Sequence, residues 1–305
     1  MKIRIDPRTD TFLLDHVVAG APLLPTVMQL DLTARALRAC RTDLEAPGGI
    51  LLRDVVVGAP VRFERPGPRE LHLVSRCCSQ GRAEPSAVSC ELRSPGEPAV
   101  HLTAVAERVL RPALGLGARS QGGRTGPLPC GPNLVYPPFF HGATFAVVGT
   151  FGRSTAGMAA QLAVGLRPLR WATAETVLRP RLLELLLQCC GLWELADSGR
   201  MMIPAAIERV YWHPDSLAAG PEGPAVACVA PRPGPGDGGR AFDGQVLGPD
   251  GAVLVTMAGY RTTDLGLVPD LDHATRLRRC LDAPRLAGLP AAEPAAPPTA
   301  DAVVS

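Results

Sequence analysis

The sequence contains little of what marks several common protein classes. Lys2 is its only lysine, aromatic residues make up 4% of the chain, and 31 basic against 29 acidic side chains leave a net charge of +2. A chain without a cationic excess lacks the electrostatic field with which proteins bind nucleic acid or anionic membranes. No uninterrupted apolar stretch reaches the roughly 18 residues that a membrane-spanning helix needs. We therefore predict neither a nucleic-acid partner nor a membrane partner.

Cysteine usage and the amino terminus predict a reducing compartment. The nine cysteines are an odd number in a long chain, unlike the even set of a secreted disulfide framework. Cys77 and Cys78 are adjacent, as are Cys189 and Cys190, so they lack the two-residue spacing of a zinc knuckle. Residues 1–15 carry acids among their apolar side chains and no signal-peptide core. We predict a reduced, cytoplasmic protein without a metal site.

Motifs for a bound cofactor are also missing. The sequence has no nucleophile elbow, no phosphate-binding loop of the Walker type and no HExxH metal pair. Gly115 and Gly117 lie in a Gly/Pro-rich stretch, without the preceding strand and following helix that a dinucleotide site requires. The sequence therefore predicts no cofactor.

Two segments of the chain are predicted to be buried helices. The chain has 305 residues, 46% of them apolar, which is enough for two packed modules. The first helix is predicted over 25–40, with Pro25 near its first position. The second is predicted over 180–196, where leucines occupy nearly every side of the helix. A helix that is apolar all round is typical of burial on all sides.

Strand-like segments follow each helix. Alternating apolar and polar residues, bounded by turn signals such as Gly58–Ala59–Pro60, predict strands. In the first half these are 51–57, 61–64, 70–77, 87–93 and 100–110, and in the second half 201–212, 225–230, 240–247 and 252–262. Strands that follow one another without intervening helices favour an α+β fold over a parallel α/β fold. The pattern predicts a double hotdog, two units each with a long buried helix wrapped by a curled antiparallel sheet.

The same pattern divides the chain. We predict an N-terminal hotdog unit over 1–111 and a C-terminal unit over 133–283. The Gly/Pro-rich stretch 112–132 between them is predicted to be a linker. The Ala/Pro-rich stretch 284–305 is predicted to be a disordered tail.

His16 is the first candidate for a catalytic role. It lies among apolar residues just before the first predicted helix, where a neutral imidazole can act as a base. Gly20 allows the chain to turn and leaves room for a ligand near the backbone. A lone histidine can equally be a structural group with satisfied hydrogen bonds, so His16 by itself indicates no reaction.

Two segments together resemble a known family. His16, Gly20 and Pro25 match the HxxxGxxxxP signature of dehydratase (DH) domains of polyketide synthases and polyunsaturated-fatty-acid synthases. The segment 179–188 resembles the HPxxxDxxxQ segment of the same domains, with Glu184 and Gln188 at its acid and amide positions. A buried helix follows the first signature here, as it does in the family.

Further segments continue the resemblance. His141, Gly142 and Phe145 resemble the (Tyr/His)-Gly-Pro-x-Phe block that precedes the acid segment in the family. With the matches at 203–210 and 259–261, the resemblance covers about residues 5 to 265 in the family's order. The sequence is thus similar to a DH domain of the double hotdog family over most of its length.

The resemblance implies a reaction, a partner and a site. The family removes water from a β-hydroxyacyl thioester held on the phosphopantetheine arm of an acyl carrier protein, and other synthase modules are possible partners. By resemblance, His16 is the base that takes the α-proton and Glu184 is the acid that protonates the departing hydroxyl. Gln188 lies four residues on, on the same helical face, where it could hold the carboxyl or the hydroxyl. The implied substrate-binding residues are Gly20, Pro25, Gln188, His141, Gly142 and Phe145.

The sequence departs from the family pattern at several positions. Glu184 replaces the usual Asp, Arg179 the usual His, Ala143 the usual Pro and Thr26 the usual Gly. Desolvation would keep Glu184 protonated, whereas the helix N-terminus favours its carboxylate, and the sequence leaves this balance open.

Alternative interpretations therefore stay open. Glu184 could be an acid that only stabilises the helix terminus, and Gln188 a partly buried polar residue satisfied by the backbone. For His141 we favour a loop histidine packed under Phe139, Phe140 and Phe145 over direct catalysis. The whole chain could be a noncatalytic domain that binds the carrier or scaffolds a synthase. It could also be a double-bond isomerase or a cyclase with the same His/acid pair.

Overall fold

Two long buried helices organise the structure, which is a computed structural model. It describes residues 1–40, 48–65, 67–78, 87–109, 128–136, 138–154, 157–217, 223–233, 240–266 and 271–282. Helix α1 is Thr26–Cys40 and helix α2 is Pro180–Ser198, so the helices predicted over 25–40 and 180–196 are confirmed to within two residues. Helix α2 ends at Gly199, whose φ of 72° lets its N–H reach the carbonyl of Leu195. No helix in the described ranges is long and apolar enough to cross a membrane.

Thirteen strands are described. In the first half they are β1 Lys2–Ile5, β2 Val17–Val18, β3 Ala21–Pro22, β4 Gly49–Val57, β5 Arg69–Cys78, β6 Ala87–Arg93 and β7 Val100–Val109. In the second half they are β8 Val148–Arg153, β9 Met158–Leu162, β10 Met202–Trp212, β11 Val226–Pro233, β12 Arg240–Leu247 and β13 Val253–Asp264. Two further α-helices, α3 Pro214–Leu217 and α4 Leu271–Leu281, and two 3-10 helices, Thr11–Asp15 and Pro132–Leu134, complete the described elements.

Eleven of these strands form one antiparallel sheet in the order β1-β5-β6-β7-β4-β10-β13-β12-β11-β9-β8. The halves of the sheet join where β4 pairs with β10, with Ile50 opposite Trp212 and Val56 opposite Ala206. Helix α1 packs on β4 to β7, and α2 packs on β8 to β13. Each helix is covered on most sides, which explains why its sequence is apolar nearly all round. The predicted fold class, an α+β double hotdog, is confirmed.

Several strands of the structure differ from those that the sequence predicts. The strand predicted over 61–64 is absent, because Val61 and Phe63 exchange hydrogen bonds with Leu24 and Pro22 instead of joining the large sheet. The sequence did not predict strands β1, β2, β3, β8 and β9. Strand β8 contains two glycines and β9 two alanines, residues with low strand propensity, so tertiary pairing overrides local preference there. The predicted unit boundaries stay predictions, since 110–127 and 283–305 lie outside the described residues.

Helix α4 was not predicted from the sequence, and one of its cysteines corrects the expectation that all cysteines are reduced. Cys280 on α4 is disulfide-bonded to Cys130, with their Cα atoms 5.9 Å apart. The expectation of reduced thiols is therefore wrong for this pair, because an odd cysteine count reveals nothing about which side chains meet in space. His273 adds a 2.7 Å hydrogen bond from its ring to the carbonyl of Leu134. The cytoplasmic location stays a prediction.

A buried carboxylate on α1 ties the two halves together. Asp31 is fully buried, and its two oxygens accept hydrogen bonds from the Trp171 indole at 2.8 Å and from the backbone N–H groups of Val177 and Leu178 at 2.7 and 2.8 Å. These donors belong to the segment that leads into α2. A buried charge is tolerated where several donors satisfy it, so Asp31 sets where α2 begins relative to α1.

We expect Asp31→Ala to lower the free energy of unfolding by about 3 kcal/mol or more, because it leaves buried N–H donors without an acceptor. The measurement is urea unfolding followed by circular dichroism. Asp272→Ala is the control: the Asp272 side chain is 74% exposed and pairs with Arg276 on the same helix, so its loss should cost less than about 0.5 kcal/mol. Equal stability of both variants would contradict the role given to Asp31.

Candidate active site

Residues of both halves line one cavity of about 220 Å³. From the first half come His16 and Gln29, and from the second His141, Glu184 and Gln188. Most of the remaining wall is apolar and includes Val18, Leu23, Phe139, Leu187, Met201 and Ile203. A largely apolar pocket with a few convergent polar groups is the usual form of a small-molecule site.

A tight hairpin places His16 on the wall of this cavity. Strands β2 and β3 are joined by Ala19 and Gly20, with φ values of 49° and 79°. Positive φ at both loop residues is the geometry of a type I′ turn, which glycine adopts without strain. The turn brings the N–H of Leu23 to 2.9 Å from the carbonyl oxygen of His16. Gly20 itself is exposed and does not belong to the described cavity lining.

The hydrogen bonds of His16 define its tautomer. Its Nδ1 lies 3.1 Å from the carbonyl oxygen of Leu23. A carbonyl only accepts hydrogen bonds, so Nδ1 carries the proton and Nε2 keeps its lone pair. Burial of the ring, and next the neighbouring charge of His141, lower the pKa of His16 to about 4. The ring is therefore neutral at pH 7 and can accept a proton at Nε2.

Helix α2 supplies the acid. Glu184 is 6% exposed, and its Oε1 accepts hydrogen bonds from Gln188 Nε2 at 2.8 Å and from His141 Nε2 at 3.2 Å. Burial by itself raises the pKa of Glu184, but the hydrogen bond and charge of His141, with help from Gln188, bring that pKa below its usual value. The balance that the sequence left open is thus decided by His141, and Glu184 is ionised at neutral pH.

Gln188 is held by groups on both sides of its amide. Its Nε2 donates to the carbonyl of Phe145 at 2.7 Å as well as to Glu184, and its Oε1 accepts from the Tyr136 hydroxyl at 3.0 Å. The Tyr136 oxygen in turn accepts from the N–H of Val148 at 2.7 Å. Because every partner is fixed, the amide orients the Glu184 carboxylate. The sequence contained no sign that Tyr136 belongs to this network.

His141 packs against aromatic rings, as the sequence predicted, and it also contacts Glu184, which the sequence did not predict. Its ring stacks on Phe140, with centroids 4.7 Å apart and planes 27° apart, as a packed loop histidine would. Its Nε2 nevertheless contacts the carboxylate of Glu184, and its backbone forms a bridge with His16. His141 Nδ1 is buried and has no hydrogen-bond partner among the described residues. His141 is thus both packed and in contact with the acid.

The other residues that the sequence singled out lie behind the cavity wall. Gly142 donates its N–H to the Asp15 carbonyl at 2.8 Å, and a Cβ at this position would lie 2.9 Å from the Asp15 Cα, so glycine permits this close approach. Phe145 is buried with its ring centroid 5.9 Å from that of His16. Pro25 offers its carbonyl to the first turn of α1. The structure therefore brings together His16, His141, Glu184 and Gln188, whereas Gly20, Pro25, Gly142 and Phe145 shape the backbone or pack around them.

Two family models match the sequence. One, described as polyketide synthase dehydratase domain, matches residues 1–89, and the other, described as polyketide synthase dehydratase N-terminal domain, matches residues 134–270. The two matches lie in separate halves of the chain and include the segments of His16 and Glu184. No curated protein matches the chain.

Solved structures of similar fold include three dehydratase domains. A trans-AT polyketide synthase dehydratase domain from Brevibacillus brevis is 20% identical, with 87% of this chain and 93% of that chain covered and a TM-score of 0.66. The dehydratase domain of the CurJ module of curacin polyketide synthase is 14% identical, with 90% of this chain and 92% of that chain covered and a TM-score of 0.67. The PpsC dehydratase domain from Mycobacterium tuberculosis, in complex with C12:1-CoA, is 18% identical, with 87% of this chain and 92% of that chain covered and a TM-score of 0.63. At such identities the likeness shows the fold alone.

Proposed function

Because this chain belongs to the polyketide synthase dehydratase family, we propose that it removes water from a 3-hydroxyacyl thioester on an acyl carrier protein, leaving an α,β-enoyl thioester. The observation that carries the proposal is one apolar cavity lined by both a neutral imidazole, His16, and a carboxylate paired with a histidine, Glu184 with His141. Elimination of water needs a base and an acid at one substrate, and the two halves supply one each.

The proposed reaction moves two protons. His16 Nε2 takes the proton from C2, the electrons of that C–H bond form the C2=C3 double bond, and the C3–O bond breaks. The departing hydroxyl takes a proton from the Glu184–His141 pair and leaves as water. In the resting pair, His141 Nε2 donates the shared hydrogen to the ionised Glu184. As the C3–O bond lengthens, the hydrogen on His141 Nε2 moves to the Glu184 carboxylate and from that carboxyl to the hydroxyl, so Glu184 ends ionised again and His141 has lost one proton.

Solved structures of similar domains support this division of roles. One curacin dehydratase is described as an inactive mutant with phenylalanine in place of a histidine, and another as an inactive mutant with asparagine in place of an aspartate. The PpsC domain is in complex with C12:1-CoA, an acyl thioester. The noncatalytic alternative is less well supported, since the cavity of this chain retains a histidine and a carboxylate in facing halves.

The direct test supplies the protein with a 3-hydroxyacyl chain on a phosphopantetheinylated acyl carrier protein and follows the loss of one water by mass spectrometry. The same acyl chain on free pantetheine measures what the carrier contributes. We expect enoyl product from both, with a higher kcat/KM for the carrier-bound chain. Absence of product from either substrate, and of hydration when the enoyl thioester is supplied, would refute the proposed function. A shifted double bond or an oxygen ring as product would indicate the isomerase or cyclase alternative.

His141→Phe separates the packing of His141 from its contact with the acid. We expect a loss of about a hundredfold in kcat, in the range for a group that assists proton transfer. The phenyl ring keeps the stacking on Phe140, but the raising effect of burial on the pKa of Glu184 is now opposed only by the weaker effects of Gln188 and His16. Because a raised pKa leaves Glu184 protonated only below it, the residual activity should increase as the pH falls.

The measurement is the pH profile of kcat for both proteins. His72→Phe, at a half-exposed histidine that pairs with Glu70, is the matched control and should keep the wild-type profile. A His141→Phe profile of unchanged shape and height would show that His141 only packs.

A further inference from the structure

One polar side chain on the cavity wall has no part in the proposed reaction. Gln29 lies on the first turn of α1, is 3% exposed and lines the cavity. Its Nε2 donates a hydrogen bond to the carbonyl of Leu24 at 3.1 Å. Its Oε1 is buried and makes no hydrogen bond within the described part of the chain. A buried acceptor without a partner destabilises the folded protein, so its presence at a ligand cavity calls for a reason.

The hydrogen bond to Leu24 settles the orientation of the Gln29 amide. A carbonyl oxygen accepts only, so the NH₂ group must face Leu24, and the Gln29 oxygen is the atom left free. The preceding carbonyl, that of Leu23, holds His16 Nδ1. One short segment between β3 and α1 thus positions both the proposed base and the amide. Gln29 is fixed with respect to His16, not a freely turning side chain.

The chemistry of a lone acceptor narrows what Gln29 can bind. An amide oxygen needs a donor, and the donors available on an acyl substrate are hydroxyl groups. The oxygen of the leaving C3 hydroxyl must receive a proton, which an amide oxygen cannot supply, so that oxygen is the partner of the Glu184–His141 pair, and Gln29 is the acceptor left for another hydroxyl of the chain. Gln29 extends from a buried helix and is almost without solvent contact, which favours the acyl chain over the carrier-attached arm as its neighbour.

We propose that Gln29 is a specificity-determining residue that accepts a hydrogen bond from a second hydroxyl on the acyl chain, beyond the one that leaves. The inference rests on the proposed function and names its substrate class as dihydroxyacyl thioesters. A site built to hydrogen-bond a substrate hydroxyl rejects the analogue that lacks it, because the protein group is then left unpaired. We therefore expect a lower kcat/KM for acyl chains that lack the second hydroxyl.

The test compares matched thioesters of equal length, a 3-hydroxyacyl chain and chains with an added hydroxyl at C5 or at C7. We expect the wild-type protein to favour one of the dihydroxyacyl chains by about tenfold or more in kcat/KM. Gln29→Leu should reduce that ratio to about one, mainly through a higher KM for the dihydroxyacyl chain. Gln29→Met repeats the measurement should the leucine variant not fold. Gln161→Leu, at an exposed position of β9, is the control and should keep the ratio.

The outcomes separate the two proposals. Turnover of the 3-hydroxyacyl chain without any preference for a second hydroxyl would overturn the role of Gln29 and leave the dehydratase proposal intact. A preference that survives in Gln29→Leu and Gln29→Met would also overturn it. An equal loss on all chains would indicate that Gln29 contacts a group that all of them share, the C3 hydroxyl or the phosphopantetheine arm, and this too would overturn the proposal. No turnover of any chain would refute both proposals.

Discussion

His16→Ala should lower kcat for dehydration by about a thousandfold, within the range that a positioned general base contributes. The neutral ring with its Nδ1–H bound to Leu23 leaves Nε2 as the proton acceptor in the cavity, and no other described residue in that cavity offers an equivalent free nitrogen in the first half of the chain. Enoyl formation measured by mass spectrometry gives the rate. His72→Ala removes a half-exposed histidine outside the cavity and should retain the wild-type rate. Near-normal turnover by His16→Ala would remove His16 from the reaction.

The pH dependence of the wild-type protein tests the same residue without a mutation. Because the pKa of His16 is about 4, the ring stays neutral from pH 7 down to about pH 5 and the limb of the rate profile that belongs to the base should fall only near pH 4. With a base of the ordinary histidine pKa of about 6.5, the rate would begin to fall about 2.5 pH units higher. A limb near pH 6.5 in kcat/KM would therefore contradict the assignment.

The lowered pKa of His16 also makes the free energy of unfolding depend on pH in a predictable direction. Between about pH 6.5 and pH 4 the unfolded chain binds a proton at His16 that the folded chain does not, so the free energy of unfolding decreases as the pH falls through this window. The loss amounts to at most about 3 kcal/mol, since His16 keeps part of its surface open to the cavity. In His16→Ala this part of the pH dependence should disappear.

Glu184→Gln is the second change for which we expect a large effect, a loss of about a hundredfold to a thousandfold in kcat. The amide keeps the size of the side chain and can bond to its neighbours, but it has no proton to give to a departing hydroxyl. Glu175→Gln changes an exposed glutamate in the segment before α2 and should leave the rate unchanged.

The length of the acid is tested by Glu184→Asp, which restores the residue type that is usual in the family. The shorter chain draws the carboxylate away from His141 Nε2, now 3.2 Å distant, and a displacement of about 1 Å can cost on the order of a hundredfold in rate. We expect the rates to rank Glu above Asp above Gln. Equal activity of Glu184→Gln and the unchanged protein would show that the acid lies elsewhere.

Much of the architecture follows from local sequence. The apolar periodicity of α1 and α2, the alternation in β6, and the turn residues between strands are properties of neighbouring residues, and the structure reproduces them. The pair Glu184 and Gln188 was also predictable, because residues four apart share a helical face and their side chains bond at 2.8 Å. The weak strands β8 and β9 were not, since their residues favour no strand until neighbours pair with them.

The sequence by itself determined two buried helices, their antiparallel covering and the residue types that could serve as base and acid. Only the tertiary structure decided that His141, 43 residues before Glu184 in the chain, would contact that carboxylate and hold its pKa below the usual value. It also decided that Gln29 would keep a free oxygen at the cavity and that Cys130 would meet Cys280. The physical reason is the same in each case: protonation, pairing and exposure depend on distances across space, and spacing along the chain does not encode them.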